Sequence, residues 1–204
     1  MTQDIYLIRH GETDCNLNGV LQGRGVNAPL NENGRQQARA FFEAYRSIPF
    51  DRVYTSTLIR THQTVQGFVE AGISHEQHPG LDELSWGVFE GQFITDENRA
   101  AFKAILSRWK SGDVDASTEQ GESPQHVLNR LETFIQSFLE NERDEPVLWC
   151  SHGRTMRILL SHLLHGNLNH MDQFSHENTS LYRLQRRGNT FTLLEADNTD
   201  HLQP

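Results

Sequence analysis

The amino-acid sequence predicts an α/β protein in which helices cover both faces of a mainly parallel sheet. Short apolar runs at residues 4–8, Arg52–Thr55 and 146–150 have the length and composition of buried strands. Each run leads into a segment with apolar residues at helical spacing, and strands that alternate with helices are typical of parallel sheets. A hairpin pattern near the end of the chain adds an antiparallel element.

The predicted helices share apolar side chains that recur on one face. The first covers roughly 33–46, with Asn31 as its cap. Ser123-Pro124 has the residues expected of a cap followed by the first helical position. The inner faces of the helices are marked by Ala38, Phe41, Phe42 and Tyr45; Leu58, Val65, Phe68 and Val69; Phe102, Ile105, Leu106 and Trp109; Val127, Leu131, Phe134, Ile135 and Phe138; and Met156, Leu159, Leu160, Leu163 and Leu164.

The remaining segments are a hairpin and a polar stretch. Residues 180–185 and 190–195 flank Arg187-Gly188-Asn189, a turn sequence suited to two antiparallel strands. The segment 110–123 is polar and is expected to be a mobile loop beside a site. With 204 residues and no repeat or low-complexity linker, residues 1–204 are expected to form a single domain.

Composition and charge restrict the class of function. The net charge of −9 argues against nucleic acid as the main partner, because binding a phosphate backbone needs a basic surface. The N-terminus lacks the features of a signal peptide, and no apolar run approaches the roughly 18 residues that span a bilayer. The two cysteines, Cys15 and Cys150, offer neither a disulfide framework nor a zinc-ligand spacing. We therefore expect a cytoplasmic protein without a membrane partner.

Unusual polar residues follow three of the predicted strands. Arg9 and His10 follow the first, Ser56 and Arg60 the second, and His152 the run at 146–150. In an open α/β sheet these positions converge outside the carboxyl ends of the strands, where ligands bind. Guanidinium groups match phosphate oxygens in pairs, and helix N-termini favour anions. The pattern predicts a site for a phosphate group.

Histidine adds chemistry to such a site. A neutral imidazole can attack phosphorus, and the phosphohistidine is then cleaved by water, which divides one difficult step into two easier ones. Arginines can stabilise the transferred group without a metal. The leaving alkoxide needs a proton, and Glu83 and Glu90 are the candidate acids, because a partly desolvated carboxyl beside a phosphate is suited to that role.

With these motifs in place, the chain resembles the histidine phosphatase superfamily, whose founding enzymes are the cofactor-dependent phosphoglycerate mutases. The resemblance covers nearly the whole chain and rests on motifs in family order: LIRHGET with the following Asn16, Gln22-Gly23 and PLNENGRQQA, then VYTSTLIRTHQT, LDELSWGVFEG, GES and SHGRTMRILL. It implies a three-layer α/β/α sandwich with a mixed sheet.

The resemblance also implies roles for individual residues. His10 would be the phosphorylated nucleophile, and Glu83 would be the proton donor and later the base that activates water. Arg9, Arg60 and His152 would complete the phosphate pocket. The further positions expected to contact the substrate are Asn16, Gln22, Gly23 and Gly153.

Several functions stay open at this point. The first is a phosphatase acting on a small phosphorylated metabolite, with no cofactor. The second is a phosphoglycerate mutase or sugar bisphosphatase. The mutases resemble each other in a longer chain with an arginine pair, whereas residues 92–122 contain no adjacent arginines and Trp86 stands where mutases have tyrosine. The third is a non-catalytic phosphate-binding module. A homodimer also stays open.

A metal site is the alternative for the other histidines. His162 and His165 lie three residues apart on a predicted helix, with His170 and His176 further on. No carboxylate or cysteine completes a known ligand spacing, so no metal site is predicted.

Overall fold

The computed structural model describes residues 2–140 and 144–203, and within them the chain forms one six-stranded sheet. The strand order is β3-β2-β4-β1-β5-β6. Strands β3, β2, β4 and β1 run parallel to one another, whereas β5 is antiparallel to β1 and to β6. The strands are β1 (Thr2–Arg9), β2 (Arg52–Thr55), β3 (Ser74–Gln77), β4 (Val147–Ser151), β5 (Leu181–Arg187) and β6 (Thr190–Asn198). The predicted mixed sheet and hairpin are confirmed.

The α-helices of the described residues fall where the apolar spacing predicts them, apart from one short turn after β1. Asn31 caps α2, since its Oδ1 accepts a hydrogen bond of 2.8 Å from Gly34 N. Ser123 caps α5 in the same way, with Oγ 3.2 Å from His126 N. The helices are α1 (Asp14–Leu17), α2 (Glu32–Tyr45), α3 (Ile59–Glu70), α4 (Asp96–Lys110), α5 (Pro124–Glu140) and α6 (Gly153–His165).

Two apolar cores lie on opposite faces of the sheet, and β1 contributes to both. Ile5 and Leu7 pack in the larger core with α4, α5 and α6. Tyr6 and Ile8 pack in the smaller core with α2 and α3. This division follows from the period of two residues along a strand. The protein is therefore the predicted three-layer α/β/α sandwich.

The sequence pattern missed β3 and α1. β3 has the sequence SHEQ, lies at the edge of the sheet and is partly exposed, so it carries no apolar run. α1 is only four residues long and has no buried residue, so it shows no apolar face. Its cap is polar instead: Thr13 and Asn16 form a reciprocal capping box.

The polar segment that follows α4 is tied to the body of the protein by hydrogen bonds. Trp109 Nε1 donates to Ala116 O at 2.7 Å, and Thr118 Oγ1 donates to Trp86 O at 2.8 Å. The Glu122 carboxylate accepts a hydrogen bond of 2.9 Å from the backbone N of Ser85, which is two residues after Glu83 in the sequence. The segment thus lies beside the candidate site as expected, while its mobility stays a prediction. In the part of the chain that the structure describes, we find no helix with the length and hydrophobicity to cross a bilayer.

Candidate active site

His10 lies just past the end of β1 and is almost completely buried, with 2% of its surface exposed. Its Nδ1 is 2.7 Å from Gly11 O. Because a carbonyl oxygen can only accept, Nδ1 holds the proton and Nε2 carries the free lone pair. Burial, followed by the charges of Arg60 and Arg9, holds the pKa of His10 well below its usual value. His10 is therefore a neutral imidazole with Nε2 available to attack.

Arg60, on the first turn of α3, is completely buried. Its guanidinium donates to three neutral acceptors: His152 Nδ1 at 3.1 Å, Val26 O at 2.8 Å and Gly23 O at 3.3 Å. Burial lowers the pKa of Arg60 to about 10, while the negative charge of Glu83 opposes the shift. The side chain thus stays cationic at neutral pH, and no acceptor among these three neutralises it.

His152 follows β4 and forms the N-cap of α6. Its ring centroid is 5.1 Å from that of His10. Nδ1 accepts from Arg60, and Nε2 is 2.8 Å from Ser56 Oγ. Burial, followed by the charge of Arg60, holds the pKa of His152 well below its usual value. The ring is therefore neutral, with its proton on Nε2.

Glu83 is buried at the N-terminus of α6. Its Oε1 accepts bonds from Leu84 N at 2.9 Å and Thr155 N at 3.0 Å, and its Oε2 accepts from Arg154 N at 3.1 Å. Its negative charge favours the charged forms of both Arg9 and Arg60. Glu83 is thus held at the N-terminus of α6 near the arginines of the pocket, and its Oε2 accepts one backbone hydrogen bond.

Glu90, the alternative acid, has a different position. Its Oε1 accepts a bond of 2.9 Å from Trp86 N. Its carboxylate lies so close to Gly23 and Gly25 that a Cβ at either glycine would collide with it. Glu90 therefore braces the loop that carries Gly23.

Arg9 lies half-buried at the end of β1 and points toward the segment before β5. Its Nη1 donates to His176 O. Its Nε is buried and has no hydrogen-bond acceptor in the part of the chain that the structure describes. Burial lowers the pKa of Arg9 to about 10, and the charge of Glu83 opposes the shift. Arg9 thus remains a cation that lies between the histidine pocket and a second cavity.

Two of the predicted substrate-binding residues are joined through Thr13. Gln22 Nε2 donates to Thr13 Oγ1 at 2.8 Å, and Asn16 Oδ1 is 3.0 Å from the same oxygen. The Oε1 atom of Gln22 is buried and accepts no hydrogen bond from residues 2–140 or 144–203. Gly153 begins α6 against the ring of His176, which a Cβ there would overlap. The structure thus gathers Asn16 and Gln22 on the His10 loop, and it places Gly153 next to His152.

Three residues at the site were missed as functional candidates. Ser56 forms a hydrogen bond with His152, as described above, whereas the sequence shows only that it follows a strand. Asn178 Nδ2 donates to His10 O at 2.9 Å. Arg130 donates to Gly80 O at 2.7 Å and to Glu83 O at 3.2 Å, which holds the backbone that carries the candidate acid. No local sequence pattern reports such contacts, because the partners are far apart in the chain.

The other histidines are distributed without a metal-binding arrangement in residues 2–140 and 144–203, where no three His, Cys, Asp or Glu side chains are placed to hold an ion. The rings of His165 and His170 lie 4.1 Å apart by centroid. His176 lies elsewhere, against Gly153.

The chain is similar to curated proteins named as a phosphatase and as a probable mutase. The chain is 32% identical over 165 residues to the adenosylcobalamin/alpha-ribazole phosphatase of Salmonella typhimurium, covering 78% of this chain and 79% of the relative. It is 33% identical over 164 residues to the "Probable phosphoglycerate mutase GpmB" of Klebsiella pneumoniae, covering 78% and 74%.

Solved structures agree on the fold. Bacillus stearothermophilus YhfR is 26% identical, with a TM-score of 0.87 over 98% of this chain and 100% of that one. The alpha-ribazole phosphatase of Shigella flexneri is 24% identical, with a TM-score of 0.84 over 96% of both chains. The model of the histidine phosphatase superfamily (branch 1) matches residues 5–199. The chain therefore belongs to the histidine phosphatase superfamily.

Proposed function

We propose that this protein hydrolyses phosphomonoesters of small metabolites through a phosphohistidine formed on His10. The observation that supports this most is the state of His10: a buried, neutral ring with a free Nε2, next to the cation Arg60, whose three hydrogen-bond acceptors are all neutral. A binding site alone needs the cation, whereas the free ring nitrogen serves a nucleophile. The phosphatase among the relatives supports the same class of reaction.

In the first step His10 Nε2 attacks phosphorus, and the bond from phosphorus to the ester oxygen breaks. The leaving alkoxide takes a proton from Glu83 Oε2 and departs as an alcohol. Arg9 and Arg60 stabilise the charge on the equatorial oxygens of the transferred group. His152, which is neutral and lies beside Arg60, orders the same side of the pocket.

In the second step water attacks the phosphohistidine, and Glu83, now a carboxylate, takes the proton of the water. The bond between phosphorus and Nε2 breaks, phosphate is released, and His10 returns to its neutral form. Because Glu83 gives a proton in one step and takes it back in the next, the cycle is closed. The arginines supply the positive charge, so we propose a reaction that needs no metal or cofactor.

A mutase or sugar bisphosphatase is the second candidate, and the mutase name of one relative keeps it in view. Such an enzyme needs cations for the rest of its substrate. Two of the four cations on α4 pair with carboxylates at the surface, Arg99 with Asp96 at 3.3 Å and Arg108 with Asp113 at 2.6 Å. This pairing makes the two arginines less available to a substrate, which favours hydrolysis. The third candidate, a binding module, predicts no turnover at all.

The deciding experiment is hydrolysis of an aryl phosphate in the presence of a chelator, followed by acid-free trapping of the radiolabelled phosphoenzyme. Turnover should persist with the chelator, and the trapped phosphate should be acid-labile and base-stable. His10→Ala should abolish both signals, while His165→Ala, the same change at an exposed histidine, should leave them intact. Near-normal turnover by His10→Ala would exclude the covalent mechanism. Phosphate transfer to added phosphoglycerate rather than to water would favour the mutase.

The other predictions concern the setting of the enzyme. We propose that residues 1–204 act as a single domain, which agrees with a family match over 5–199. A cytoplasmic location, the absence of a nucleic-acid partner and a homodimer remain predictions, the last to be tested by light scattering.

A further inference from the structure

A second group of cations lies beside the candidate active site, on the side of β5. It comprises Arg9 at the end of β1 together with Arg154 and Arg157 on the first turns of α6. Because β5 is antiparallel to β1, the segment that precedes β5 lies at the same edge of the sheet. A cavity of about 550 Å³ opens there, lined among others by Arg9, Arg157, His176 and Asn178.

The positive charges at this cavity exceed the negative ones. Arg154 and Arg157 share a single carboxylate, that of Asp172, at 2.8 and 3.3 Å. Arg9 has no carboxylate within ion-pairing distance among the described residues. Glu177 also lines the cavity, but it is exposed, so solvent screens its charge. The charge of Glu83 also acts on Arg9 and Arg157, although Glu83 forms no ion pair with either among the described residues. In a chain of net charge −9, three arginines with one ion-paired carboxylate among them make this region locally cationic.

Two arginines that line the cavity also carry hydrogen-bond donors without acceptors. Among the described residues, the Nε atoms of Arg9 and Arg157 are both buried and have no hydrogen-bond partner. A buried N–H left unpaired costs about 1–3 kcal/mol, so such donors normally have a partner. Burial, followed by the charges of Arg157 and Arg9, lowers the pKa of His176 to about 3. Its ring is therefore neutral at physiological pH and offers one more N–H.

We propose that this cavity is a second anion site, which takes a small dianion the size of a phosphate group. The Arg157 guanidinium and the His176 ring would donate to its oxygens, and Arg9 would lie between it and the pocket of His10. The site uses Arg157 and His176, for which the proposed reaction has no role. It does not depend on His10 acting as a nucleophile.

The stoichiometry of inorganic phosphate binding, measured by equilibrium dialysis without turnover, tests this site. The wild-type chain should bind two phosphate ions, one of them at the pocket of Arg60. Arg60→Met, which keeps the bulk but removes that charge, should leave one ion bound. Arg157→Gln should weaken the other ion about tenfold or more, the usual effect of losing a hydrogen bond to a charged group. A single phosphate per wild-type chain, lost in Arg60→Met, would overturn the proposal.

Asp172→Asn provides the matched control. It removes the shared counter-charge of Arg154 and Arg157, so it should tighten the second ion by about two- to fivefold, as expected for a partly exposed pair. Damage to the local structure would instead weaken binding in both Arg157→Gln and Asp172→Asn. Weakening in both variants would therefore contradict an electrostatic site.

Kinetics then show whether the dianion is free or part of a substrate. If the site holds a second anionic group of the substrate, Arg157→Gln should raise the KM of a phosphomonoester that carries a second phosphate group and leave that of an aryl phosphate unchanged. If the dianion is free, both KM values should stay the same while phosphate binding weakens. Failure of the proposed hydrolysis is separate, since it would abolish turnover of both substrates and leave phosphate binding in place.

Discussion

Replacing Ser56 by alanine tests how the orientation of His152 is set. Arg60 Nε can only donate, so His152 Nδ1 accepts and the ring proton lies on Nε2, which donates to Ser56 Oγ at 2.8 Å. Thr61 Oγ1 donates to Leu58 O at 2.8 Å. The hydroxyl proton of Ser56 is therefore directed to Thr61, 2.9 Å away. The chain of hydrogen bonds has one consistent direction.

The loss of the Ser56 hydroxyl leaves two buried donors without an acceptor, His152 Nε2 and the backbone N of Leu58, which is 3.1 Å from Ser56 Oγ. Each such group costs about 1–3 kcal/mol, so the free energy of unfolding should fall by about 2–6 kcal/mol. At about 2–4 °C per kcal/mol for a chain of this size, Tm should fall by about 4–24 °C. The ring of His152 also loses its positioning bond, so kcat should fall by about tenfold or more while KM changes little.

Ser161→Ala is the matched control for this substitution. Ser161 is also completely buried, and its Oγ donates to Asn167 O at 2.6 Å and accepts from His170 N at 3.2 Å. It lies on α6 away from the pocket, so it should lower Tm by a similar amount and leave kcat unchanged. Thermal unfolding and aryl phosphate kinetics measure both effects. If Ser56→Ala loses stability but keeps the kcat of Ser161→Ala, Ser56 does not position His152.

Three further changes probe the pocket. Glu83→Gln should lower kcat about 10²- to 10⁴-fold on alkyl phosphates and far less on aryl phosphates, whose phenolate needs little protonation; equal losses would remove Glu83 from the acid role. The free energy of unfolding should fall as pH drops below about 6.5, because His10 and His152 stay neutral in the fold and are protonated when unfolded. The slope should reach about 1.4 kcal/mol per pH unit for each histidine, and a flat urea-unfolding profile between pH 7 and 5 would contradict the lowered pKa values. Gly23→Ala should lower the free energy of unfolding by about 1–3 kcal/mol and raise KM. The added Cβ would collide with Glu90 and Leu84 O, and would displace the Gly23 carbonyl that accepts from Arg60. Unchanged kinetics and Tm would show that the loop adjusts to the methyl group without cost.

The sequence predicted the layers of the fold because their signals are local. An apolar run at Arg52–Thr55 and a helical apolar stripe that includes Val127 and Phe134 each report burial within one element. β3 gave no such signal, since its position at the sheet edge leaves its polar side chains partly in solvent. The order of the strands is a property of long-range pairing, and the apolar pattern of a strand does not specify its neighbour.

The candidate site was predicted as far as residue types and their places after strands allow. His10, Arg60 and His152 each follow a strand, so topology alone brings them together. Glu83 and Glu90 are seven residues apart in one irregular segment, so residue types and spacing could not separate them, whereas the family resemblance pointed to Glu83. The structure gives them different surroundings, because Glu83 meets the N-terminus of α6 and Glu90 packs against the Gly23 loop.

The charge of the pocket explains why so much hydrogen bonding surrounds it. Arg60 is completely buried yet donates to a ring nitrogen and two carbonyls rather than to a carboxylate. Neutral acceptors satisfy its N–H groups without forming an ion pair, so burying its charge costs free energy in the unliganded fold, which the more distant charge of Glu83 only partly offsets. A carboxylate there would remove that cost and would also occupy the place of a phosphate. The same argument applies to Arg9. Its Nη1 donates to a carbonyl oxygen, and its Nε has no hydrogen-bond acceptor among the described residues. The unliganded pocket therefore retains positive charge that attracts a dianion, although the net charge of −9 on the whole protein would repel one.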